Sequence, residues 1–134
     1  LPVYGDGMNV RDWIHVEDHC RGLLAALEQG RSGEVYNLGA SCERHNLDIV
    51  KGVLDLLGKP HSLIRFVSDR PGHDRRYAID AAKARGELGW EPRRRFEEGL
   101  ADTTRWYQEH RPWWERIISG EYLRYYQRQY GGRA

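Results

Sequence analysis

Val10-Arg-Asp-Trp-Ile-His-Val-Glu-Asp-His19 decides the class of this fold, because a β-compatible run turns into a helix within it. Val10–Val16 holds branched and aromatic residues that suit a half-buried strand. Asp18 is expected to cap a helix over His19–Gln29, where Leu23, Leu24 and Leu27 share a face at helical spacing. The same alternation continues outward. Gly30 to Gly33 breaks the helix, and Glu34–Leu38 reads as a short strand ending at Gly39. Asn46 is expected to cap a second helix over Leu47–Leu57, closed by Gly58 and Pro60. Leu63–Val67 reads as a strand, and Asp80 as the cap of a short helix through Leu88 that stops at Gly89. Phe96–His110 is amphipathic, Pro112 opens a further helix, and Glu121–Gln129 is the last. Alternating strands and helices make this an α/β chain.

Composition bounds the function. The chain has 134 residues, one domain's worth, with 21 basic and 20 acidic side chains. A net charge of +1 gives no support to general nucleic-acid or membrane-surface binding. The charge is unevenly placed: residues 1–30 carry two arginines against five acids, and residues 65–95 carry eight arginines and a lysine against five acids. A basic half on a neutral chain suits a compact anion better than a long polymer. The longest purely apolar run, Leu23–Leu27, is far too short to span a bilayer. Cys20 and Cys42 form no CxxC pair, so a reducing cytoplasm is the expected setting. Of fifteen aromatic residues, eight lie between Trp106 and Tyr130. They are expected to cover a helical cap, with some left exposed where another part of a protein would dock.

The densest chemistry lies in Asp69-Arg-Pro-Gly-His-Asp-Arg-Arg-Tyr-Ala-Ile-Asp80. Pro71-Gly72 reads as a turn, expected to aim the flanking Arg70, His73, Arg75 and Arg76 to one side. An arginine fork suits phosphate oxygens. Interleaved Asp69 and Asp74 argue for a few oriented contacts, the bland alternative being a surface loop of weak Arg–Asp pairs.

Other motifs carry less. His15 and His19 are four apart, but His15 falls on the strand side, the Glu sits at the wrong offset for HExxH, and no third ligand lies nearby. Gly5-Asp-Gly7 lacks the third glycine and following helix of a nucleotide loop. No GxSxG, P-loop or Tyr-x-x-x-Lys is present.

Leu-Pro-Val-Tyr-Gly-Asp-Gly (1–7), the 10–19 stretch, Gly-Glu-Val-Tyr-Asn-Leu-Gly (33–39), Asn46 with its helix, the 69–80 run, Glu-Leu-Gly-Trp-Glu-Pro (87–92) and Gly-Leu-Ala-Asp-Thr-Thr-Arg-Trp-Tyr (99–107) together resemble the dTDP-glucose 4,6-dehydratases. These are extended short-chain dehydrogenases. The 69–80 run is the most specific part; the Arg-Asp-Trp and Val-Glu-Asp-His elements are shared with epimerases and decarboxylases of the superfamily.

The resemblance implies the C-terminal substrate-binding part of such an enzyme, short strands with a helical cap, its Rossmann nucleotide-binding half missing. Pro2, Val3 and Tyr4 would sit beside the thymine base. Arg11, Asn46 and Arg70 would bind the diphosphate, with Asp69 and His73 in the same loop. Tyr130 would close over the nucleotide, although the tail departs from the family pattern at Gly131. The complete enzyme uses NAD to oxidise the sugar at C4, loses water across C5 and C6, and returns hydride to C6. This chain lacks the glycine fingerprint and the catalytic tyrosine, so it is expected neither to bind NAD nor to catalyse alone. Its expected partners are a dTDP-sugar, an absent Rossmann half and a second copy of itself. Rival readings are a non-catalytic nucleotide-sugar module, a self-associating interaction fragment, and a fragment of a UDP-sugar epimerase or decarboxylase.

Overall fold

The computed structural model describes residues 1–120 and residue 124. Tyr130 and the helix expected over Glu121–Gln129 fall outside them, apart from helical Arg124. The chain divides into two compact units, Leu1–Ala101 and a second beginning at Asp102.

The first unit is built from very short strands. β1 (Pro2–Tyr4) runs parallel to β4 (Arg65–Val67), Val3 opposite Phe66. β2 (Val10–Asp12) runs antiparallel to β3 (Glu43–His45), Arg11 opposite Arg44. The strand expected over Val10–Val16 stops at Asp12, whose carboxylate accepts the Ser41 and Cys42 N–H groups at 3.2 and 2.8 Å and turns the chain there. β3 has no alternation to announce it; pairing with β2 imposes its extended form. Glu34–Leu38 forms no strand, because none of the described strands pairs with it. A strand exists only through its ladder.

α1 (Val16–Gln29) begins earlier than expected and is capped by His15, which accepts the Glu17 N–H at 3.3 Å. Asp18 is not the cap. It is buried inside the first turn, where it pairs with Arg21 and accepts the Arg94 N–H at 2.9 Å. The leucine face of α1 is exposed: Leu23, Leu24 and Leu27 face outward, Leu27 with 82% of its surface accessible. Instead α1 buries Gly22, where a Cβ would come within 2.7 Å of Leu38 and 3.0 Å of Trp90.

α2 (Asn46–Leu56) follows β3 directly. His45 holds its N-cap position with no side-chain bond to the helix, its Nδ1 meeting the Met8 carbonyl at 3.0 Å instead, so Asn46 is the first helical residue rather than the cap. The Asn46 and Leu47 N–H groups are taken by the Asn9 and Gly7 carbonyls, both at 2.9 Å. That approach needs Gly7, with φ +72° and no room for a Cβ against Val3 and Leu47. A 3-10 turn (His61–Leu63) leads into β4. α3 (Ala82–Leu88) ends where expected, at Gly89 with φ +59°, but its N-cap position is Ala81, one residue after Asp80, whose carboxylate accepts the Ala82 N–H at 2.8 Å. Its Ala84 and Leu88 pack with Ala81 and Trp90 into the core, lined by Ile14, Ala25, Ala26, Tyr36 and Leu38.

α4 (Phe96–Glu109) and α5 (Arg111–Ile118, with Pro112 in its first turn) match their expected places. In the second unit Trp106 stacks on His110 at 4.4 Å and meets Trp113 edge-on at 5.2 Å, yet residues 102–120 include none that is buried. Among the described residues of this unit the rings cluster without a buried core. No described helix is long and apolar enough to cross a membrane.

Candidate functional site

β1 ends at Tyr4, and its ring carries the site. Tyr4 lines a cleft of about 280 Å3 together with Pro2, Val3, Gly7, Trp13, Asn46, Ile49 and Val50. Its ring also meets His73 edge-on at 6.3 Å and receives the Arg70 guanidinium over its face at 5.3 Å. Val3, buried and packed toward Gly7, lines the cleft between Pro2 and Tyr4.

Three stretches distant in sequence converge next to Tyr4. Asp69 accepts from His73 Nδ1 at 2.6 Å and from the Arg70 N–H at 2.8 Å. His73 Nε2 faces an Arg11 guanidinium nitrogen at 3.1 Å. A guanidinium only donates, so Nε2 accepts and the imidazole proton sits on Nδ1, shared with Asp69. Arg11 also donates to the carbonyls of Val10 and Asp74, at 2.6 and 3.0 Å, and lies 4.3 Å above the Tyr77 ring. The His73 side chain is 6% exposed, so it acts inside this network rather than at the surface. His73, followed by the Arg70 N–H, holds the Asp69 carboxyl below the usual carboxylate range.

Eight of the nine residues singled out from the sequence thus form one neighbourhood. Pro2, Val3, Tyr4 and Asn46 line the cleft, and Tyr4 joins them to Arg70, His73, Asp69 and Arg11. The ninth, Tyr130, lies outside the described residues.

Arg75 and Arg76 do not point into the cleft network. Arg75 forks onto Asp6 at 2.8 and 3.0 Å, and Arg76 onto Glu43 at 2.6 and 2.7 Å. The Arg75 bond, with the Met8 N–H, lowers the Asp6 pKa to about 2; Arg76 lowers that of Glu43. These acids were missed, and so was Trp13 of the cleft wall. Glu43 lies 33 residues from its arginine and Asp6 lies 69 from its own, too far for spacing to reveal the pairs.

The turn, the strand and the helix start present guanidinium donors and an amide beside an apolar, ring-lined cleft. Guanidinium and amide groups donate hydrogen bonds to anionic oxygen atoms. Among the described residues no group of three His, Cys, Asp or Glu is placed to hold a metal ion.

Comparison with known proteins gives this arrangement its class. The family model described as GDP-mannose 4,6 dehydratase matches residues 1–103, and the chain belongs to that family. Its relatives include dTDP-glucose 4,6-dehydratases. The protein from an Actinoplanes sp. is 54% identical over 114 residues, 85% of this chain and 36% of the relative. That from Xanthomonas campestris pv. campestris is 50% identical over 131 residues, 91% and 37% of the two chains. Among solved structures, the dTDP-glucose 4,6-dehydratase DesIV from Streptomyces venezuelae, with NAD bound, superposes with a TM-score of 0.84. It is 50% identical, over 87% of this chain and 36% of that one. The chain therefore spans little more than a third of the length of the curated relatives it matches, and it corresponds to their C-terminal part.

Proposed function

We propose that this chain is the nucleotide-sugar binding part of a dTDP-glucose 4,6-dehydratase and is not catalytic by itself. One observation carries the reading: Arg11, Asp69, Arg70 and His73 form a linked group beside Tyr4, and Tyr4 with Asn46 lines the adjoining cleft. Arg70 and Arg11 hold the diphosphate, the exposed Arg70 by swinging from the Tyr4 face. Asn46 adds an amide donor at the start of α2, where the helix dipole favours an anion. Pro2 and Tyr4 pack against the base, and the bound product of the whole enzyme is the 4-keto-6-deoxy sugar.

NAD, which the family uses, does not fit the residues here. The Gly5–Gly7 turn leads to β2 rather than a helix, and Gly7 is packed against Val3 and Leu47. The first turn of α1 carries Glu17 and Asp18, which would repel a pyrophosphate. No step is assigned through NAD to this chain. Its partners are the dTDP-sugar, an N-terminal Rossmann half and, when alone, a second copy docked on the exposed leucines of α1.

Titration calorimetry of the chain with dTDP tests the site. A charge-assisted bond is worth about 1.5–3 kcal/mol, so Arg70→Ala is expected to lose about tenfold or more in affinity with its melting temperature nearly intact. Arg70→Lys recovers part of it, keeping charge but not the fork. Unchanged affinity in Arg70→Ala removes the turn from the site. Formation of a 4-keto-6-deoxy sugar by the chain alone overturns the non-catalytic reading.

A further inference from the structure

The two arginines outside the cleft network lie next to each other and pair with acids of two different segments that each lead to a cleft-lining residue. Arg75 holds Asp6, two residues beyond Tyr4; Arg76 holds Glu43, three residues before Asn46. Both pairs are bidentate, which fixes orientation as well as distance. Between them the main chain is stitched to β2. The Val10 N–H donates to the Arg75 carbonyl at 2.8 Å, the Tyr77 N–H to the Val10 carbonyl at 3.0 Å, and Val10 and Arg76 form an isolated parallel bridge. Asn9 and Arg11 both donate to the Asp74 carbonyl, at 3.2 and 3.0 Å. The run therefore has two halves. Residues 74–77 are tied down, whereas Arg70 to Gly72 form an exposed turn whose Gly72 sits at φ +68°.

We infer that Arg75 and Arg76 are positioning residues: a two-arginine strap that sets the distance between the β1 wall carrying Tyr4, the β3–α2 wall carrying Asn46, and the Arg70 turn. The inference rests on the diphosphate reading for what the strap serves, but the strap itself is made only of the chain's own pairs. Both arginines are 60% exposed, and their acids 57% and 37%. Such pairs add little to global stability. Their geometry places the site instead.

The test uses the 134-residue chain with Glu43→Gln, Asp6→Asn, and the exchange Glu43→Arg with Arg76→Glu. Amide hydrogen exchange without nucleotide reads the strap directly. In Glu43→Gln the Val10 and Tyr77 amides are expected to exchange about fivefold faster, with the α2 and α3 interior unchanged. Affinity for dTDP is expected to fall about threefold to fivefold at constant melting temperature, and the charge exchange restores both. Exchange rates at Val10 and Tyr77 that match wild type in both Glu43→Gln and Asp6→Asn overturn the strap. So does a lower melting temperature with unchanged affinity, the mark of a merely structural pair. If Glu43→Gln does not fold, Asp6→Asn reads the other arm. Failure of the wild-type chain to bind dTDP sinks the diphosphate reading, and the exchange arm then decides the strap alone.

Discussion

α1 and α2 look alike as sequences and are used in opposite ways. Each places apolar residues at helical spacing, Leu23, Leu24 and Leu27 in one, Ile49, Val50, Val53, Leu54 and Leu57 in the other. α2 turns its apolar face inward: Ile49 is buried and Leu54 is 2% exposed. α1 presents its leucines outward and packs through Asp18, Gly22, Ala25 and Ala26. Periodicity reveals that a helix has an apolar face; it does not reveal which neighbour covers that face. In α1 the small residues win the inner side because Trp90 and Leu38 need close approach at Gly22, and Asp18 fits because its oxygens meet Arg21 and the Arg94 N–H.

The comparison breaks most directly at its leucines. Removing a buried leucine leaves a cavity as well as losing transfer energy, about 2–5 kcal/mol in total. Leu54→Ala is expected to fall in that range by urea denaturation, and Leu27→Ala to change almost nothing. Equal losses at the two positions would mean that the α1 leucines are covered in solution.

Next in size is Asp18, the polar member of α1's buried side. Burial by itself raises its pKa, but the Arg94 N–H, the Arg21 guanidinium and the Arg93 N–H outweigh it, and the carboxyl is held below its ordinary value. A group whose folded pKa is depressed contributes stability that is full above its unfolded pKa, near 3.8, and that is lost as pH falls through the folded value. Asp18→Asn is expected to cost about 1.5–3 kcal/mol at neutral pH, since it weakens bonds to a charged partner. The difference between wild type and variant shrinks as pH drops below about 4. A gap that stays constant between pH 7 and pH 3 would show that the charge at Asp18 contributes nothing.

What the sequence revealed follows from range. Asp80 and Gly89 bracket α3 within ten residues: the Asp80 carboxylate holds the Ala82 N–H from one position before the N-cap, and Gly89, lacking a Cβ, takes the left-handed stop. Gly58 and Pro60 end α2 for the same local reason. Errors arose where a distant partner decides. His15 displaced Asp18 as a cap because Asp18 is claimed by residue 94, and β3 exists because β2 lies beside it. Glu34–Leu38 is the converse, a strand-like run that no described strand pairs with. At the site, Arg11, Asn46 and the 69–73 turn were visible through resemblance. The division of the arginines into one that leans on Tyr4 and two that grip Asp6 and Glu43 required coordinates.

The smallest expected change in stability belongs to the outward face of α1, and it carries the sharpest information about partners. Leu23, Leu24 and Leu27 lie on consecutive turns with exposures of 54%, 51% and 82%, a contiguous apolar strip. Surface substitutions away from packed features usually shift stability by no more than about 0.5 kcal/mol. Leu27→Glu is therefore expected to leave the urea midpoint of a dilute sample nearly unchanged. If the strip is where a second copy docks, sedimentation of the wild-type chain shows mass rising with concentration, and Leu27→Glu returns it to the monomer because a carboxylate at that position cannot be desolvated without a partner charge. A wild-type chain that sediments as a monomer at every concentration removes self-association. Variant and wild type associating equally would move the contact to another surface, such as the exposed Trp106 and Trp113 of the second unit.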